Sequence, residues 1–217
     1  MQRESSMEKP LHLNGTSSPE PAVSQQVNSR DMEVLRVIEE EKLASFTFEG
    51  LKRRINTHSE TLSRILYRLE EQEILEKANE GYRVTEKGKE LLGVHPLNSE
   101  EPRLMLLRTL LPPEMDMHRV FLDLKGRWFG TLRWLGYSKK GNEFVLKWIT
   151  DDGGIQVDAT FSPNALTVEG KLLEGKDLAD AIRASHQLVG YVARLYSRPR
   201  MRQVAYFKTS EGYLMPN

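Results

Sequence analysis

No cysteine occurs anywhere in the 217 residues. Disulfide bonds and thiolate zinc sites are thereby excluded, and the chain is consistent with a reducing compartment. Neither charge is in excess, because 31 lysines and arginines face 31 aspartates and glutamates. No global field draws the molecule toward polyanions, so contact with nucleic acid has to come from a local patch. Runs of about 18 apolar residues are missing as well, and the first residues hold no apolar segment behind a basic start. A cytoplasmic protein with no membrane contact is the expectation. Signatures of nucleophilic catalysis are also missing: there is no Gly-x-Ser-x-Gly elbow and no Gly-rich phosphate loop ending in Lys-Ser or Lys-Thr. No enzyme and no cofactor are expected.

What is present begins after a tail. Residues 1–27 mix Ser, Pro, Glu, Gln and Gly with almost no apolar periodicity, a composition expected to stay disordered. Asn28 suits a helix cap, with Asp31 near the positive end of the dipole and Met32, Leu35, Ile38 and Leu43 as the stripe of a first helix. Thr47 is the expected cap of a second, in which Phe48, Leu51 and Ile55 face inward and Lys52, Arg53 and Arg54 outward. Thr57-His58-Ser59-Glu60 fits a capping box opening a third helix as far as Glu71. Leu62, Ile65, Leu66 and Leu69 form its apolar stripe, and Glu60, Ser63, Arg64, Tyr67 and Arg68 lie opposite. Two short extended pieces, Leu75 to Ala78 and Gly81 to Thr85, meet at the turn signal Asn79-Glu80-Gly81, and a last helical piece runs to Gly93. A first domain at 28–93 follows.

Prolines at 96, 102, 112 and 113 mark residues 94–118 as a connector, with a short helical run expected in RLMLLRTLL. From Arg119 the period becomes two. VFLDL, FGTLRWLGYS, EFVLKWITD, IQVDATF and ALTVEGKL, separated by turn signals, predict a five-strand antiparallel meander. A helix from about Asp177 to Ser197, with Leu178, Ile182, Leu188, Val189, Val192 and Leu195 as its stripe, is expected to cover one face of that sheet. Residues 204–208 read as a further strand. The fold class is α+β, with a second domain at 119–217 for effector sensing or dimerisation.

Phe46 to Gly88 resembles the winged helix-turn-helix domain of bacterial and archaeal transcription regulators, close to the MarR-like pattern. The matching residues are Leu51, then Leu62, Leu66 and Leu69, then Ile74 and Leu75, and finally Gly81-Tyr82-Arg83-Val84-Thr85 with Gly88. Glu73 departs from it, standing where such proteins usually carry glycine. The resemblance covers about a third of the chain and implies that the third helix enters the major groove of double-stranded DNA while the hairpin touches the adjacent backbone. Ser59, Glu60, Ser63, Arg64 and Tyr67 are then the candidates for base readout, Arg64 foremost because a guanidinium can donate two bonds to guanine. Lys52, Arg53, Arg54, Arg68, Lys77 and Arg83 are the candidates for phosphate contact. A homodimer matching palindromic sites is expected.

Two weaker constellations remain. Trp128, Trp134, Trp148 and Phe144 could line a pocket for a small-molecule effector, although aromatics also fill ordinary sheet cores. Glu114, Asp116 and His118 alternate as an extended metal site would, but surface polarity beside Pro112-Pro113 explains them equally, and no metal is expected. DNA-binding transcriptional regulation is the function these residues point to. The alternative is a protein-interaction adaptor built on a winged helix, favoured if acidic residues interrupt the cationic face.

Overall fold

A computed structural model describes residues 29–93, 102–173 and 175–197. The tail, the cap at Asn28 and the strand at 204–208 lie outside the described residues. The chain is mixed α and β, with one eight-stranded antiparallel sheet running through both halves.

Helix α1 (Ser29–Glu40) buries Val34, Leu35, Val37 and Ile38, while Met32 stays substantially exposed. The strand β1 (Ser45–Phe46) follows, then α2 (Phe48–Ile55), whose Thr47 side chain accepts from the Gly50 amide as the cap residue should. Asn56 closes α2 in the left-handed region at φ 53°. Helix α3 (Ser59–Glu71) begins with His58 as N-cap and no side-chain capping bond, so the Thr57-Glu60 box does not form. The cause is local: the Thr57 amide donates back to the Lys52 carbonyl at 3.4 Å, keeping Thr57 in the turn that ends α2. The expected stripe of α3, Leu62, Ile65, Leu66 and Leu69, is buried. Strands β2 (Leu75–Ala78) and β3 (Gly81–Val84) form the hairpin, and α4 (Glu86–Gly93) opens with the Gly88 amide bonded to Thr85 Oγ1. These elements share one core, which also holds Phe46, Ile74 and Val84.

Two segments take the other secondary structure. RLMLLRTLL, expected as helix, is the strand β4 (Arg103–Leu110), and VFLDL, expected as strand, lies in the helix α5 (Met117–Leu124). β4 pairs along its whole length with β8 (Ala165–Leu172), with a bulge between Met105 and Leu107, so backbone pairing overrides the helical propensity of its leucines. In α5 the Asp116 carboxylate caps the Arg119 amide, and Val120 and Leu124, four apart, are the buried pair. A run this short fits either period. The meander therefore has four strands, β5 (Leu132–Lys140), β6 (Glu143–Thr150), β7 (Ile155–Ser162) and β8, with β4 on its outer edge.

Helix α6 (Leu178–Ser197) starts at a reciprocal cap between Asp177 and Asp180 and lies over β7, β8 and β4. It buries Ala181, Ser185, Leu188 and Val192, whereas Leu178 and Ile182, expected inside, are about half exposed. The second core, between α5, α6 and the sheet, holds Trp148, Val157, Phe161 and Val168.

The two halves meet at β1, which pairs with β3 on one side and β5 on the other, giving the order β2-β3-β1-β5-β6-β7-β8-β4. A bulge in β5 at Leu135 receives α2. The Thr47 amide donates to the Leu135 carbonyl at 2.9 Å, and Thr47 Oγ1 donates to that of Trp134 at 3.1 Å. Glycine is required at this contact, because a Cβ on Gly50 would stand 2.6 Å from Leu135 Cα and one on Gly136 2.2 Å from the Ser45 carbonyl oxygen.

Candidate nucleic-acid interface and the charge cluster behind it

Burial of Leu62, Leu66 and Leu69 fixes the roll of α3 and turns Ser59, Glu60, Ser63, Arg64 and Tyr67 outward, where all five are exposed. Arg64, 72 % exposed, donates to Glu60 at 2.6 Å. The Tyr67 hydroxyl donates to Glu71 at 2.7 Å, and that bond raises the phenol above its usual pKa. Lys52 reaches across from α2 to Ser59 Oγ at 3.2 Å and to Glu49 at 3.3 Å, joining the two helices.

The phosphate candidates separate by orientation. Lys52 and Arg53 lie at the α2 surface, Arg53 donating to the Glu49 carbonyl at 3.0 Å. On the hairpin, Lys77 is exposed and Arg83 pairs with Glu76 at 3.0 Å, also in solvent. Arg68 binds Asp31 of α1, itself buried, through both carboxylate oxygens, so this arginine anchors α3 to α1. Arg54 turns inward. Its side chain is 9 % exposed and pairs with Glu41 at 3.3 Å. The hairpin tip is held by Glu80, whose carboxylate meets Lys125 after α5 at 2.8 Å.

Glu41 is the centre of a charge cluster that the sequence reading did not contain. It follows α1 directly, and its side chain is completely buried against the sheet face turned away from α6. It accepts from Lys171 Nζ at 2.7 Å, Gln156 Nε2 at 2.7 Å and Lys147 Nζ at 3.1 Å, in addition to Arg54. Lys147 also donates to Asp158 at 2.6 Å, and Asp158 accepts from Arg103 of β4 at 2.6 Å. Burial alone would raise the Glu41 pKa, but Lys147 and Lys171 outweigh it and hold the carboxyl well below its usual range. A signal existed in the strand text: Lys147 interrupts the apolar run VLKWI, Gln156 and Asp158 stand two apart on β7, and Glu169 and Lys171 stand two apart on β8. Polar groups at such positions point to one sheet face, but only the fold shows that α2 and Glu41 cover it.

Comparison with protein-family models, curated proteins and solved structures returns no match for this chain.

The four aromatic candidates for an effector pocket do not line one cavity. Trp134 and Trp148 are core residues packed edge to face at 5.4 Å. Phe144 stacks on Phe161 at 5.0 Å and borders an open groove with Phe121 and Tyr137, whereas Trp128 lies at a separate cleft beside α6. His186 is exposed at that same cleft. Asp116 is occupied as the cap of α5, and among the described residues no group of His, Asp and Glu is placed to hold a metal. No helix among them is long and apolar enough to cross a membrane.

Proposed function

We propose that residues 29–93 form a winged helix-turn-helix that docks on double-stranded DNA, with α3 in the major groove and the β2–β3 hairpin beside the phosphate backbone, and that the chain acts as a transcriptional regulator. The observation that carries this reading is the two-sidedness of α3. Its apolar stripe is wholly buried, and its opposite face presents Ser59, Ser63, Arg64 and Tyr67 to solvent next to an exposed hairpin at the sheet edge. Side chains of this kind make direct readout. Phosphate contact falls to Lys52, Arg53, Lys77 and Arg83, because Arg54 and Arg68 hold the fold together.

The pairing of Arg64 with Glu60 does not argue strongly against this. Both side chains are mostly in water, where such a pair is worth about 0–1 kcal/mol, so a guanine edge can displace the carboxylate at small cost. The mixed face does favour the second reading, a protein-interaction adaptor, for Glu60, Glu71 and Glu76 each sit against a side chain proposed to contact DNA. Selection from a random duplex library separates the two. A regulator enriches a defined sequence, palindromic if two copies bind, and Arg64→Ala abolishes preference at one base position. An adaptor enriches nothing.

A further inference from the structure

On the α6 side of the sheet, this helix and the loop from Lys125 to Thr131 border a cleft of about 450 Å³, within the range of about 300–1,000 Å³ typical of small-ligand sites. Arg127, Trp128, His186, Gln187, Tyr191 and Arg194 line it, and among the described residues no aspartate or glutamate does. The guanidinium groups of Arg127 and Arg194 lie over the Tyr191 ring, 5.2 and 5.9 Å from its centroid. Among the described residues neither has a carboxylate partner, unlike Arg53, Arg64 and Arg83 on the other surface. Arg127 spends only its Nε donor, on the Asp123 carbonyl, and a guanidinium stacked on a ring keeps its remaining in-plane donors for an acceptor.

The loop that carries Arg127 and Trp128 is fixed before any ligand arrives. The buried Trp148 indole N–H donates to the Arg127 carbonyl at 2.8 Å, Phe129 and Leu132 exchange backbone bonds at 3.0 and 2.9 Å, and Arg133 donates to the Gly130 carbonyl at 2.7 Å. Trp128 is nevertheless 67 % exposed. The Arg133 guanidinium covers its ring at 4.5 Å, and Arg133 is itself neutralised by Asp151 at 2.7 Å. A preset site therefore offers an indole together with two guanidinium groups that no described carboxylate neutralises. A simple anion would leave the indole in water, and an uncharged ring would leave the arginines without an acceptor.

We propose that this cleft binds a nucleotide unit, its base stacked on Trp128 and its phosphate held by Arg127 and Arg194. A free mononucleotide and one unit of a single strand carry the same chemistry. The full chain is titrated by calorimetry with AMP, with ATP, with a short single-stranded oligodeoxynucleotide and with orthophosphate. A mononucleotide or the oligonucleotide binds, orthophosphate binds at least about tenfold more weakly, and Trp128→Ala and Arg194→Ala each weaken binding about tenfold or more with unchanged circular dichroism. Whichever of the mononucleotides and the oligonucleotide binds more tightly names the source. The proposal is overturned if neither binds at millimolar concentration, if orthophosphate binds as tightly as the nucleotides, or if either folded variant binds like the parent.

Discussion

Glu41 and Lys171 stand 130 positions apart in the chain, yet their carboxylate and ammonium groups meet at 2.7 Å inside the protein. The contact fastens the end of α1 to the penultimate strand of the sheet, behind the helices proposed to meet DNA. Because β1 makes the sheet continuous across the same junction, the fastening and the backbone pairing act together.

Removing Glu41 leaves Lys147 and Lys171 buried with a missing partner. Breaking a buried pair from one side costs about 3–5 kcal/mol, so Glu41→Ala should lower the urea midpoint sharply. The parent should unfold in one transition by both tryptophan fluorescence and circular dichroism, since the cluster and the sheet span both halves. Two separated transitions would show that the halves unfold independently.

The same carboxyl sets an acid limb. Its folded pKa lies below its unfolded one, so the stability it contributes is complete above pH of about 4.3, where the unfolded carboxyl is ionised. That contribution declines as the pH falls from there toward the depressed folded value. Asp152 acts in the same direction, lowered by hydrogen bonds from Lys176, Thr150 and the Gly154 amide. Denaturant melts between pH 6 and pH 3 should therefore show parent stability falling with acid, and Glu41→Gln should fall less steeply.

Glu73 adopts φ 59° just before β2, the left-handed conformation that glycine takes at no steric cost. The departure from the winged-helix pattern thus coincides with a strained backbone position. Its ion pair with Lys87, 3.4 Å long and largely solvent-exposed, offsets little. Glu73→Gly should raise stability by about 1 kcal/mol, read as a higher thermal midpoint.

Gly136 tests the junction from the backbone side. Its Cβ would meet the Ser45 carbonyl oxygen at 2.2 Å, and backbone cannot turn aside as a side chain can. Gly136→Ala should cost about 1–3 kcal/mol, as overpacking does, measurable by the same urea titration.

How much of this was legible before the structure depends on periodicity and length. The stripe of α3 and the hairpin at Asn79 were readable because spacing and turn chemistry agreed over many residues. VFLDL and RLMLLRTLL were not, since a short apolar run satisfies both periods and only its partner decides. Arg54 looked outward on the pattern of α2, but Glu41 draws it in, and Glu41 itself sits in the run Glu39-Glu40-Glu41, which reads as a solvated helix end. The single sheet was hidden for a similar reason: β1 is two residues long, too short to leave a pattern.

The docking of α3 on duplex DNA is tested most directly by binding of the full chain to a selected duplex across a salt series, with Arg64→Ala and Lys52→Ala beside the parent. Affinity should fall with salt, Arg64→Ala should cost about 1–3 kcal/mol on the selected site alone, and Lys52→Ala should weaken all duplexes alike. Absence of salt-dependent binding to any duplex by the folded parent, or an Arg64→Ala variant that binds and discriminates as the parent does, would contradict it.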